Sequence, residues 1–197
     1  KLVMDQAIDK ILSQVRPKRQ SILRSKPHYC VTDLINQFKS HVWSLMEYHS
    51  GAIFHASDSL LERLDSAQRG FLQEIDVSPE LAFLEHNFAP PKLRRNIGML
   101  GFLHKRVLGK SHPAIQRLFS FHADVFGSLR AGEHDKQLYD HILEVQQQQS
   151  LHRRSVFGMV QIYNCLPQHV VNYTTISLFQ RHLTLEARKL CEDGNPT

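Results

Sequence analysis

Four of the five Lys and Arg side chains in one short segment set the first chemical question. Residues 90–109, PPKLRRNIGMLGFLHKRVLG, hold Arg94, Arg95, Lys105 and Arg106 together with Gly98 and Phe102. Counted at about 100° per residue, Arg94 and Lys105 fall roughly 20° apart, as do Arg95 and Arg106, with Gly98 and Phe102 between the two pairs. Guanidinium forks bind phosphate oxygens, a glycine lets another backbone come close, and an aromatic ring stacks on a base or sugar. That set fits a grip on nucleic acid. It fits a plainer arrangement too, in which Phe102 packs under a neighbouring helix and the cationic stems only cover apolar surface. A second basic run, Arg16, Lys18, Arg19, Arg24 and Lys26, contains no acid and adds weight to the first reading.

Other chemistries find little footing. The thirteen histidines form no HxxxH or HxH pair, and Cys30, Cys165 and Cys191 show no CxxC spacing, so no metal ligand set is expected. His104 falls on the apolar side of its segment and reads as a hydrogen-bonded core histidine. His28 is close to Cys30 in sequence, but that is not the spatial pairing that activates a thiolate. Gly109-Lys110-Ser111 ends like a phosphate loop, yet His104 stands where the motif needs its first glycine, and a helix precedes it instead of a strand. GxSxG is absent, and Glu62/Asp65 and Glu74/Asp76 read as solvated helix-surface pairs. The chain is therefore expected to be non-catalytic by itself, with no cofactor of its own. Scattered cysteines point to a reducing compartment, where the Asn172-Tyr173-Thr174 sequon has no role. No membrane span is expected, because the long uncharged stretches, such as Val156 to Gln168, are too short and too polar. Lys1-Leu2-Val3-Met4-Asp5 does not resemble a secretory signal, and a first residue other than Met suggests a piece of a longer product.

Helices must position these residues. The 197 residues, 42% hydrophobic and 22% charged, suit a globular chain with a sizeable core. Charge is segregated: +5 over residues 1–26, −6 over 27–90, +7 over 91–130 and −1 over 131–197. Such blocks suggest a surface with an acidic partner. Helical periodicity covers 3–14, with Pro17 expected to end or kink that helix before a basic continuation to Ser25. Thr32 is expected to cap a helix to about Tyr48, Ser59-Leu60-Leu61-Glu62 to form a capping box opening a helix to Ile75, and Ser78-Pro79 to start a short helix. In 90–109, Leu93, Ile97, Leu100, Leu103, Val107 and Leu108 share an arc of about 140°, a core-facing stripe. His112-Pro113 opens another turn or two, and a short helix is expected from Lys136. Arg154–Tyr163 fits helix or strand, and Thr175 caps a final amphipathic helix. The expected fold is an all-α bundle of about six to eight helices. Its domains would be 1–119, a loop-rich linker over 120–150, and a C-terminal helical segment over 151–197 that packs back on the first.

Four strings then match one family in order. QFKSHVWSLMEYHSGAIFHAS (37–57), LLERLDSAQRGFLQEI (60–75), HNFAPPKLRRNIGMLGFLHKRVLG (86–109) and RRSVFGMVQIYNCLPQHVVNYTTISLFQRHL (153–183) resemble the region beyond the polymerase core of non-LTR retrotransposon reverse transcriptases. The resemblance spans about residues 20 to 190. It implies a thumb-like first domain and a role in holding a template–primer duplex, within an intracellular nuclear or cytoplasmic ribonucleoprotein. It also implies an upstream polymerase domain as partner, where the paired catalytic aspartates and their Mg2+ would reside. No such aspartate motif and no endonuclease domain occur in this chain. Gly70 and Gln73 stand where the family more often carries basic residues, Asn96 where it has Asp, and Tyr163 where it often has Trp. The absence of basic residues at 70 and 73 weakens any nucleic-acid role for the 60–75 helix. A helical protein-interaction or structural module without nucleic-acid binding is the alternative expectation.

Overall fold

The computed structural model of the protein describes residues 4–48, 50–121, 134–140 and 152–194. Those residues are helical almost throughout with no strand among them, and seven of their helices reach seven residues or more. The chain is all-α. It divides into two compact units, Lys1–Arg95 with Arg188–Thr197, and Asn96–Ala187. This division falls within the helix of Arg94 and Arg95, not in the 120–150 stretch where the sequence suggested a linker. Residues 122–133 and 141–151 of that stretch lie outside the described residues. Lys136–Asp140, where a short helix was expected to begin, are irregular, and Leu138 forms an isolated antiparallel bridge with Phe121.

In the first unit, α1 (Met4–Arg24) runs straight through Pro17. Proline in a helix interior costs about 3 kcal/mol through its missing N–H and its ring clash. Here it sits on the exposed side, while Ile8, Ile11, Leu12, Val15 and Ile22 bury the opposite side on both sides of it. Packing against the next long helix therefore holds the continuation together. A 3-10 turn (Lys26–His28) follows, then α2 (Val31–Phe38), a π-helical stretch (Lys39–Trp43) and α3 (Ser44–Glu47). Helix α2 starts one residue before the expected cap. The Cys30 thiol donates to Asp33 Oδ2 at 3.1 Å, setting a carboxylate in the first turn where the helix dipole favours it.

After α4 (Ser50–Ile53), α5 (Asp58–Glu74) begins just after Ser57, and the expected capping box does not form. Glu62 turns along the helix to Arg69, leaving the Ser57 and Ser59 hydroxyls bonded to each other at 3.0 Å. Helix α6 (Pro79–His86) starts as its sequence requires, with Ser78 Oγ accepting the Leu81 N–H at 3.1 Å. It stops at Asn87, whose left-handed conformation (φ 50°) a short polar side chain tolerates. Phe38, Phe71 and Phe88 meet at the centre of this unit, with ring centroids 4.5 to 6.3 Å apart.

Helix α7 (Pro91–Val107) gives its first turn to the first unit and the remainder to the second. Within the second unit, α8 (Pro113–Leu118) is capped by His112 Nδ1, which accepts the Ala114 N–H. Helix α9 (Gly158–Asn164) settles the Arg154–Tyr163 ambiguity as helix. Gly158 is obligatory there, because a Cβ would lie 2.0 Å from the Arg153 carbonyl oxygen. After α10 (Gln168–Val171), Thr175 Oγ1 accepts the Leu178 N–H at the start of α11 (Ile176–Glu192), as its sequence predicts. Leu103, Phe119, Leu138, Met159, Val160, Tyr163, Val171 and Phe179 form this core. Among the described residues no helix is long and apolar enough to cross a membrane.

Candidate nucleic-acid interface

The cations of α7 have partners inside the fold. Arg95 is only 7% exposed, and its two Nη groups donate to the two carboxylate oxygens of Asp65 on α5 at 2.6 and 2.8 Å. A fork matched to both oxygens of a buried carboxylate has its charge compensated within the fold. Arg94 donates from Nε to Glu47, and its guanidinium carbon lies 3.4 Å from the Trp43 ring centroid. Trp43 stacks on Phe88 at 4.9 Å and donates from Nε1 to Gln68 Oε1 at 2.9 Å; Gln68 in turn donates to the Ala89 carbonyl. Lys39 Nζ lies 5.7 Å from the same indole, and burial, then the charge of Arg94, lower its pKa. The first turn of α7 thus ties into an aromatic and ionic cluster of the first unit.

Farther along, Arg106 is 8% exposed, donates from Nε to the Phe119 carbonyl and lies 4.2 Å over the Phe121 ring. Phe102 is half-buried, edge-to-face on Phe119 with centroids 6.2 Å apart. Of the five Lys and Arg side chains of α7, Lys92 and Lys105 are exposed. Three elements of the expected strip are therefore corrected: Arg95 and Arg106 are buried, and Phe102 offers no open ring. The physical reason is that Asp65, the Phe119 carbonyl and the Phe119 ring meet these three side chains, whereas a helical wheel shows nothing of such partners. The close-approach glycine is also a different one. A Cβ on Gly98 meets nothing within 4 Å, whereas one on Gly101 would lie 2.3 Å from the Gln180 side chain.

The basic run of α1 has the opposite character. Arg16, Lys18 and Arg24 are exposed, and none has an ion-pair or hydrogen-bond partner among the described residues. Arg19 is half-buried and reaches the Ala67 carbonyl, while Lys26 bonds the Glu74 carbonyl at 2.6 Å and Asp76 at 3.1 Å. The only acids of α1, Asp5 and Asp9, both pair with Arg63 of α5. The last two and a half turns of α1 are thereby left acid-free and open. Sequence reasoning did not find the partners Glu47, Asp65 and Trp43. Asp65 carried a legible signal, since it falls only about 20° from Leu72 on the wheel, beside the apolar arc of α5.

The second unit holds a buried polar cluster. His104 is fully buried, stacked on Phe179 at 4.1 Å, with Nε2 2.8 Å from the Tyr173 carbonyl and Nδ1 3.0 Å from the Tyr163 hydroxyl. A carbonyl only accepts, so Nε2 carries the proton and Nδ1 accepts from the phenol. Burial holds the imidazole below its ordinary value of 6.5 and pushes the Tyr163 phenol well above its own. His134, also buried, donates from Nε2 to the Tyr163 carbonyl and accepts the Lys136 N–H at Nδ1, both at 3.0 Å. The core-histidine reading of residue 104 is what the geometry contains. Among the described residues no three His, Cys, Asp or Glu side chains come together as a metal site. Comparison with protein-family models, with curated proteins and with solved structures gives no match to this chain.

Proposed function

We propose that the chain is an accessory helical region of a retroelement reverse transcriptase that binds RNA or an RNA–DNA duplex without a polymerase site of its own. The observation that carries this reading is the acid-free stretch of α1 after Asp9, where Arg16, Lys18 and Arg24 are exposed with no internal partner among the described residues. The four ordered string resemblances support the family assignment. Binding of this kind runs through phosphates, so it is weakly sequence-specific and strongly salt-dependent. The buried Arg95 and Arg106 and the engaged Arg94 act as scaffold, and Lys92 and Lys105 are the α7 cations left to reach a phosphate. Reversing charge at Arg16, Lys18 and Arg24 together tests the reading. Hybrid-duplex affinity should fall, and the slope of log K against log salt should flatten by roughly 0.7 to 0.9 for each phosphate no longer neutralised. Unchanged affinity and slope would reject it.

A second reading, a structural or protein-interaction module with no nucleic-acid role, is favoured by one specific observation: the cations Arg94, Arg95 and Arg106 all have partners within the fold. It predicts that the α1 triple reversal leaves nucleic-acid binding at the level of nonspecific retention.

A further inference from the structure

A stacking ring beside the α1 cations is the next thing to find, because Phe102 cannot serve. Three large aromatic side chains are well exposed among the described residues: Tyr29 at 50%, Tyr48 at 83% and Phe121 at 45%. Phe121 already has the Arg106 guanidinium over its ring. Tyr48 has an interaction of its own. Tyr29 has no ring or side-chain hydrogen-bond contact among the described residues. It stands five residues after Arg24 at the end of the basic run, between exposed His28 and Cys30.

Its backbone is set by an ordered turn. Ser25 N–H and Oγ both donate to the Ile22 carbonyl, His28 N–H donates to the Ser25 carbonyl at 2.9 Å, and Pro27 fixes the first step of the 3-10 turn. Tyr29 then leaves in an extended conformation (φ −129°, ψ 146°) as α2 begins. Asp76 is paired with Lys26, whose Nζ also donates to the Glu74 carbonyl, and Asp33 accepts from the Cys30 thiol. The ring is thus exposed on an ordered turn that directly follows the basic end of α1. Phosphate contact and base stacking together are the two halves of single-strand recognition.

We infer that Tyr29 stacks on an unpaired base of a nucleic-acid strand whose phosphates pass Arg24 and Arg16, about 80° apart around α1. The inference rests on the reading of α1 as the nucleic-acid face, and it names the strand form taken there: a single-stranded extension, with the duplex beyond it. A blunt duplex offers the cations their phosphates but offers the ring no unpaired base.

The test uses the full chain, a short blunt RNA–DNA hybrid, and the same hybrid carrying a single-stranded extension, compared by fluorescence anisotropy. Wild type should bind the extended hybrid about tenfold more tightly than the blunt one, the size expected from one stacked base. Tyr29→Ala should remove that increment while leaving blunt binding and its salt slope alone, and Tyr29→Phe should keep it. Thermal melting confirms that both variants fold, since half-exposed Tyr29 supports little core. An increment that survives Tyr29→Ala, or blunt and extended binding falling together, overturns the inference. Weak blunt binding with a Tyr29-dependent gain on the extension would retain the inference and overturn the duplex reading instead. No binding to either probe overturns both.

Discussion

Helices α1 and α7 carry most of the positive charge of the chain's first 110 residues, and they use it in opposite ways. In α7, Arg94 meets Glu47 and an indole face, Arg95 meets Asp65, and Arg106 meets a carbonyl and a ring. In α1 the two acids are consumed by Arg63 of α5, and Arg16, Lys18 and Arg24 are left with water. The two basic blocks look alike as charge counts, yet the arginines of α7 are all engaged while Arg16 and Arg24 of α1 are open. What separates them is the supply of acids, carbonyls and aromatic faces on the elements that pack against each helix. A cation is a binding residue only when the fold has not already satisfied it.

The largest effect that could break this comparison comes from Asp65. Asp65→Ala leaves the Arg95 guanidinium buried and unpaired, and should cost about 3–5 kcal/mol by urea denaturation, with much of that deficit recovered in an Asp65→Leu/Arg95→Met double variant. A cost below about 1 kcal/mol would mean the pair is not desolvated and that Arg95 is free to bind elsewhere. Next comes acid. Burial depresses the His104 pKa below its ordinary 6.5, so the unfolded chain takes up protons that the folded chain refuses. Stability present above about pH 6.5 should therefore be lost as pH falls from there towards the lower folded value. Melting temperatures measured across that range should decline in wild type and flatten in His104→Gln. Smaller again, Arg94→Gln gives up an ion pair and a cation–π interaction that are both partly wet, and should cost about 1 kcal/mol in chemical denaturation. Smallest of all, Arg16→Gln and Arg24→Gln should each shift stability by no more than about 0.5 kcal/mol, as solvated positions do.

Much of the fold was legible because apolar periodicity reports one buried face reliably. Ile97, Leu100 and Leu103 are buried as their spacing requires, Ser78-Pro79 and Thr175 open helices, and His104 is a bonded core histidine. Caps were less legible where a second side chain competed: Glu62 prefers Arg69 to its own helix start. Pro17 misleads because local propensity is outweighed by packing on either side of it. In the candidate site, the open cations of α1 were legible and those of α7 were misread. A helical wheel orders residues around one axis, and it has no information about Asp65, thirty positions away, waiting for Arg95. Tyr29 escaped notice for a related reason, since it stands outside any periodic segment.

The most direct measurement pairs the two helices in one assay. Hybrid-duplex binding is titrated across salt for Arg16→Gln/Arg24→Gln and, separately, for Arg94→Gln, each against wild type. For the α1 variant the salt slope should flatten by roughly 0.7 to 0.9 per phosphate given up, while Arg94→Gln should keep the wild-type slope despite its lower stability. A flattened slope for Arg94→Gln with an unchanged one for the α1 variant would contradict the assignment of the two helices.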